Sequence, residues 1–140
     1  MAIKTNLKPI ICVGENLSER ENGKAINFIE KQIIECLPER FEEITIAYEP
    51  IWSIGTGKIP NKTEIREMHT NINEMVNSKT KKKVKILYGG SVNKNNIEEI
   101  LSVNNVSGVL VGGASLKVKD FLAIYISAVK YLNKIHNIKD

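Results

Sequence analysis

Hydrophobic residues gather in four short runs, at positions 9–13, 44–48, 84–88 and 109–111. Each is brief, rich in β-branched residues and nearly uninterrupted. That pattern predicts strands buried on both faces. After each run the apolar positions change period. Ala25, Phe28, Ile29, Ile33, Cys36 and Leu37 fall on one helical face, as do Ile65, Met68, His69, Ile72, Met75 and Val76. Ile97, Ile100 and Leu101 make a shorter stripe, and Phe121, Ile124, Tyr125, Ala128, Val129 and Leu132 close the chain. The order βαβαβαβα predicts an α/β fold with a parallel sheet and right-handed crossovers. No linker, low-complexity tract or break interrupts it, so residues 1–140 read as one domain.

Polar punctuation is uneven along this frame. Segments entering strands are plain, such as Lys83 and Ser107-Gly108. Segments leaving them are rich: Gly14-Glu15, Glu49-Pro50, Gly89-Gly90-Ser91 and Gly112-Gly113-Ala114-Ser115. Parallel α/β folds bind ligands at the carboxyl ends of their strands, so a site is expected there. An open doubly wound sheet and a (β/α)8 barrel both obey this rule, and the pattern does not separate them.

Composition narrows the class. With 42% hydrophobic and 26% charged residues, the chain has the balance of a soluble globular domain rather than a disordered one. No apolar run approaches a membrane span, and the basic start is not followed by a signal-peptide core. The cytosol is the default compartment. The net charge of +4 owes much to Lys79, Lys81, Lys82, Lys83 and Lys85. These lysines have no interleaved aromatics, which argues against nucleic acid and for a solvated helix end. Cys12 and Cys36 lack metal-like spacing and sit among apolar residues, so both are expected to be buried free thiols.

Several residues are candidates for chemistry. Glycine pairs after the last two runs let backbone N–H groups approach an oxyanion, although glycines of tight turns look the same. Glu49 ends a strand that Pro50 forbids to continue. Among Tyr, Pro, Ile and Trp, its carboxylate is partly desolvated and suited to a general base; the alternative is a strand-end glutamate paired with lysine. Trp52, the single tryptophan, is either core packing or the anchor of a mobile loop. Glu15 suits a loop anchor. His69 reads as a satisfied, half-buried histidine, and His136 as a solvated tail residue.

Together, "AYEPIWSIGTGK" at 47–58, "YGGSV" at 88–92, "GVLVGGASL" at 108–116 and "PIICVGE" at 9–15 resemble the triosephosphate isomerase family. The motifs stand in that family's order and spacing across essentially the whole chain. The resemblance implies the last four βα units of a (β/α)8 barrel, a half barrel with parallel strands. It implies interconversion of dihydroxyacetone phosphate and glyceraldehyde 3-phosphate through an enediolate, with Glu49 as general base and no cofactor or metal. This is the glycolytic and gluconeogenic reaction of the family's enzymes, which are commonly homodimers. The backbone of Gly55, Ser91, Gly112 and Gly113 would hold the phosphate. Ile54 and Leu110 would clamp Glu49. Pro50, Ile51, Trp52, Ile54, Thr56, Gly57 and Lys58 would belong to a closing lid over residues 50–60, latched through Tyr88.

Departures from the family pattern carry their own expectations. The Lys and Asn after strand one, and the electrophilic His after strand four, have no matching residue here. The chain alone is therefore expected to be inactive, and to associate with itself or with a complementary first half. A non-catalytic half-barrel module that self-associates or binds phosphate is the alternative. Pro60 stands where the family has a residue whose N–H bonds the tyrosine, so Tyr88 must find another partner. Asn73 and Asn105 replace an Arg and an Asp, which leaves no charge stranded.

Overall fold

The computed structural model describes residues 2–5, 7–39, 41, 43–56, 58–82 and 84–137, apart from the side chain of His136. Four parallel strands lie side by side in chain order: β1 (Ile10–Val13), β2 (Thr45–Tyr48), β3 (Lys85–Tyr88) and β4 (Gly108–Val109). Ile10 pairs with Thr45, Thr45 with Lys85, and Tyr88 with Val109. Helices α1 (Leu17–Glu21) and α2 (Ala25–Cys36) follow β1; α3 (Lys62–Thr80), α4 (Ile97–Leu101) and α5 (Val118–His136) follow the other strands in turn. The short helix α1 carries no apolar stripe, which is why periodicity does not reveal it. Asn16 caps it by accepting from the Glu19 N–H. Asn61 and Glu64 close a reciprocal capping box at the start of α3, which fixes where the segment after β2 ends.

The core lies between the sheet and its helices. Ile29 and Ile33 of α2, Ile65, Met68, Ile72 and Val76 of α3, and Ile97 and Ile100 of α4 bury against Ile46, Tyr48, Ile86 and Tyr88. The opposite face of the sheet is not covered in the same way. Along β1 the burial alternates, with Ile10 49% exposed and Cys12 also exposed, whereas Val13 is buried. The expectation of strands buried on both faces therefore fails for β1. The alternation is that of a sheet with one packed face.

The cysteines follow. Both are free thiols, but both are exposed, Cys12 on the open face and Cys36 at the last turn of α2. On α5 the stripe is also incompletely covered. Ile124 is buried, but Phe121, Tyr125 and Leu132 are exposed, as are Leu116, Val118, Leu122 and Ile126 around them. Strand β4 ends at Val109, two residues before the apolar run does. Lys85 pairs with Glu43, and Lys82 donates to the Phe41 carbonyl. Lys83, Gly57 and the His136 side chain lie outside the described residues. Among the described residues no helix is long and apolar enough to cross a membrane.

His69 is not half-buried but fully buried, and it is only half satisfied. Its Nδ1 lies 3.1 Å from the Asn105 carbonyl, which can only accept, so Nδ1 carries the hydrogen. Its Nε2 has no partner, and the ring meets Tyr48 edge-on at 5.8 Å. Asn105 also donates through Nδ2 to Thr70 Oγ1, an amide contact that involves no charge. Burial pushes His69 down to about 4, with the Asn105 bond only partly opposing it.

The unfolded chain therefore takes up a proton near its ordinary pKa of 6.5, while the folded chain does not until about 4. Stability is full above that ordinary value and falls as pH drops toward 4. At pH 5 the loss is expected to reach about 2 kcal/mol. Urea midpoints measured from pH 7.5 to 5 are expected to fall in the wild type and to stay nearly level in His69→Gln.

Candidate active site

The rich segments meet at the carboxyl end of the sheet. Backbone pairing runs one step beyond the strands: Glu49 N–H donates to the Val13 carbonyl and Gly89 N–H to the Tyr48 carbonyl, each at 2.8 Å. The Ile51 N–H then reaches the Glu15 carbonyl at 3.0 Å. Glu49 thus sits between the segments after β1 and β3. A Cβ on Gly14 would overlap the Glu49 carbonyl, and one on Gly89 would come 2.6 Å from Glu49 Cγ. Both positions need glycine because the backbone passes directly against this residue. Gln32 of α2 holds Gly14 from behind, accepting from its N–H at 2.9 Å and donating to its carbonyl at 3.3 Å.

Glu49 is half-buried. The Cys12 thiol lies beside its carboxylate on the open face. Burial first, and then the Glu49 charge and hydrogen bond, push that thiol above its ordinary value. Nothing in the sequence pointed to this neighbour, because Cys12 and Glu49 meet only through strand register.

Glu15 is wholly buried and collects three donors on Oε1. They are Trp52 Nε1 at 2.9 Å, the Tyr48 hydroxyl at 3.0 Å and Arg20 Nη1 at 3.5 Å. Arg20 continues to Glu64 at 2.8 Å and lies 5.6 Å from the Trp52 ring centroid. Burial works against the Arg20 charge, yet the bond to Glu64 and the nearby carboxylates hold it above its ordinary value. Burial likewise opposes ionised Glu64, but Arg20 and the Asn61 N–H outweigh it and hold Glu64 low. Tyr48 is pushed far up, by burial and then by Glu15, and stays protonated as a donor. Glu15 is the loop anchor that the sequence suggested, and Trp52 is the anchored residue.

Trp52 sits in a 3-10 turn (Ile51–Ser53), after which the chain reaches Gly55 at φ +69°, a left-handed turn with open space around its Cα. Thr56 donates to the Trp52 carbonyl at 3.0 Å and accepts from the Lys58 N–H at 3.2 Å. Ile51, Ile54 and Lys58 are exposed, Pro50 is buried and Leu110 is half-buried. Ser91 is brought against this loop; its Oγ donates to the Ser53 carbonyl at 2.6 Å. Tyr88 is buried, with its hydroxyl 3.5 Å from Ser53 Oγ. That contact supplies the partner for Tyr88 that Pro60 does not. Gly112 and Gly113 follow β4 at the same end of the sheet, both exposed, with nothing within 4 Å of a Cβ at either. Ser53 is the residue that sequence reasoning missed. Its neighbours in this loop were singled out, but a small polar residue in a turn carries no periodic signal.

Two outcomes check this geometry. In a Cys36→Ser background, Glu49→Gln is expected to lower the pH midpoint of Cys12 alkylation by iodoacetamide, because a nearby negative charge is removed. Glu15→Ala strips Tyr48 and Trp52 of their acceptor and leaves Arg20 only Glu64; a loss of roughly 3 kcal/mol in urea unfolding and a red-shifted Trp52 emission are expected.

A family model described as triosephosphate isomerase matches residues 1–128. Curated relatives named triosephosphate isomerase include that of Hyphomonas neptunium, 46% identical over 129 residues, covering 89% of this chain and 52% of the relative. The protein of Campylobacter jejuni is 48% identical over 117 residues, covering 84% and 49%. Among solved structures, the triosephosphate isomerase of Bartonella henselae superposes with a TM-score of 0.80 at 37% identity, covering 90% of this chain and 53% of that one. The chain spans about half the length of the curated relatives it matches.

Proposed function

This chain belongs to the triosephosphate isomerase family, and from that premise we propose that it supplies the general base and phosphate loops of a triosephosphate isomerase active site. In this reading residues 1–140 are the C-terminal half of the barrel, βα units five to eight. The observation that carries it is Glu49 at the carboxyl end of β2, pressed between two backbone segments that admit only glycine. A base that moves a proton between adjacent carbons must be held in place, and this packing holds it.

In the proposed reaction Glu49 takes the proton from C1 of dihydroxyacetone phosphate. The C1–H electron pair becomes the C1=C2 bond and the carbonyl pair moves onto O2, giving an enediolate. A proton passes from O1 to O2, and Glu49 returns its proton at C2 as O1 becomes the aldehyde carbonyl of glyceraldehyde 3-phosphate. This is the family's established chemistry rather than a product of the geometry. Backbone N–H groups of Gly55, Ser91, Gly112 and Gly113 would bind the phosphate. Ile54 and Leu110 would close on Glu49 when the lid, including Gly57, covers it. Closure excludes water and protects an intermediate that otherwise expels phosphate. No cofactor or metal is required, and the cytoplasm is the proposed compartment.

The proposed enzyme needs groups that polarise the carbonyl and meet the phosphate from the other side. Complementary βα units would bring them, by pairing along the edges of β1 and β4. A second reading, a non-catalytic module that associates with itself, is favoured by the open face at Ile10 and Cys12 and by exposed Phe121 and Tyr125 on the incompletely covered stripe of α5.

A coupled isomerase assay tests the first reading. The chain alone is expected to turn over at least about 10³-fold more slowly than a complete barrel, since a lost electrophile costs several kcal/mol of barrier. Activity should appear on adding the complementary half, and Glu49→Gln should abolish it. Restored activity that survives Glu49→Gln rejects the assignment of the base. Light scattering separates the second reading, which expects a stable oligomer without that addition.

A further inference from the structure

Ser53 is fully buried at the end of the 3-10 turn, and the use of its hydroxyl is unusually complete. A serine hydroxyl has one hydrogen to donate and two lone pairs to accept with. The hydrogen goes to the Lys58 carbonyl at 2.6 Å, on the far side of the Gly55 turn. The acceptor side faces the Ser91 N–H at 3.4 Å and the Tyr88 hydroxyl at 3.5 Å. Since the Lys58 carbonyl takes the only Ser53 hydrogen, Tyr88 is the donor in that pair. The Ser53 carbonyl in turn accepts from Ser91 Oγ at 2.6 Å.

We propose that Ser53 is the latch of the lid, a positioning residue that binds both arms of the loop to each other and to the segment after β3. Trp52 ties the first arm to Glu15, the side-chain bonds of Thr56 stay within the loop, and Ile54 and Gly55 at its tip are exposed. Gly90 keeps the space for the latch. A Cβ there would overlap the Tyr88 hydroxyl and come within 3.0 Å of Ser53 Oγ. Pro60, at the end of the lid, offers no backbone N–H, so the Tyr88 hydroxyl is free to serve Ser53. The effect on an anion rests on the function proposed above, because Ser91 is one of the phosphate donors in that reading. The latch itself does not rest on it.

Native-state proteolysis tests this directly. Trypsin reaches the exposed Lys58 only through lid opening, whereas cleavage after Lys130, within α5, requires unfolding of a helix. In Ser53→Ala, cleavage after Lys58 is expected to rise about tenfold or more, and exchange of the Ser91 amide to speed up. Cleavage after Lys130 should change far less. Equal acceleration at both lysines, or none at Lys58, overturns the proposal. If Ser53→Ala does not fold, Ser91→Ala decides, since it removes the bond to the Ser53 carbonyl and leaves the bond to Lys58. Faster cleavage after Lys58 supports the latch, and an unchanged rate overturns it. Inorganic phosphate added to the wild type separates the two ideas. Failure to protect Lys58 counts against the phosphate site, while the latch is judged by the variants alone.

Discussion

A carboxylate taken out of water must be met by donors, and Glu15 Oε1 meets three, from three different parts of the chain. Glu15 follows β1, while Tyr48 ends β2, Trp52 lies in the loop after it and Arg20 belongs to α1. Losing any one of them leaves charge or a polar group buried without compensation, which is costly in a low-dielectric interior. The carboxyl end of the sheet is therefore fixed before any ligand arrives. Glu49 is one residue beyond Tyr48, so its position follows from this anchoring as well as from the glycines on either side of it.

Two polar clusters hold the loop after β2. The Glu15 cluster holds its first arm through Trp52. The Ser53 cluster ties that arm to Lys58 and to the loop after β3. Between them lies a tip with a left-handed glycine and exposed side chains, held by the local bonds of Thr56. A rigid base with a locally held tip would suit the proposed lid, a cover that moves without disturbing the residue beneath it.

The sheet presents a packed face and an open one. Helices bury Ile46, Ile86, Tyr48 and Tyr88 on one side, while Ile10 and Cys12 face outward on the other. The incompletely covered stripe on α5, where Phe121 and Tyr125 are exposed, adds to this incompleteness. The relatives are about twice as long as this chain, and a closed barrel covers such surfaces with further βα units. This geometry explains why the thiol of Cys12 lies exposed beside Glu49.

The sequence by itself determined the alternation of strands and helices, the end of β2 at Glu49-Pro50 and the concentration of glycine after β3 and β4. These are local properties: side-chain period, proline's missing N–H and glycine's freedom are all written within a few residues. It also carried the family motifs. Only the tertiary structure decided the rest. Glu15 and Trp52 are 37 positions apart and Ser53 and Ser91 are 38 apart, so their meeting depends on parallel register, which no local pattern encodes. The exposure of Cys12, Phe121 and Tyr125 went against their apolar spacing for a related reason. Periodicity tells which residues share a face, but whether that face is covered depends on what another part of the fold brings to it.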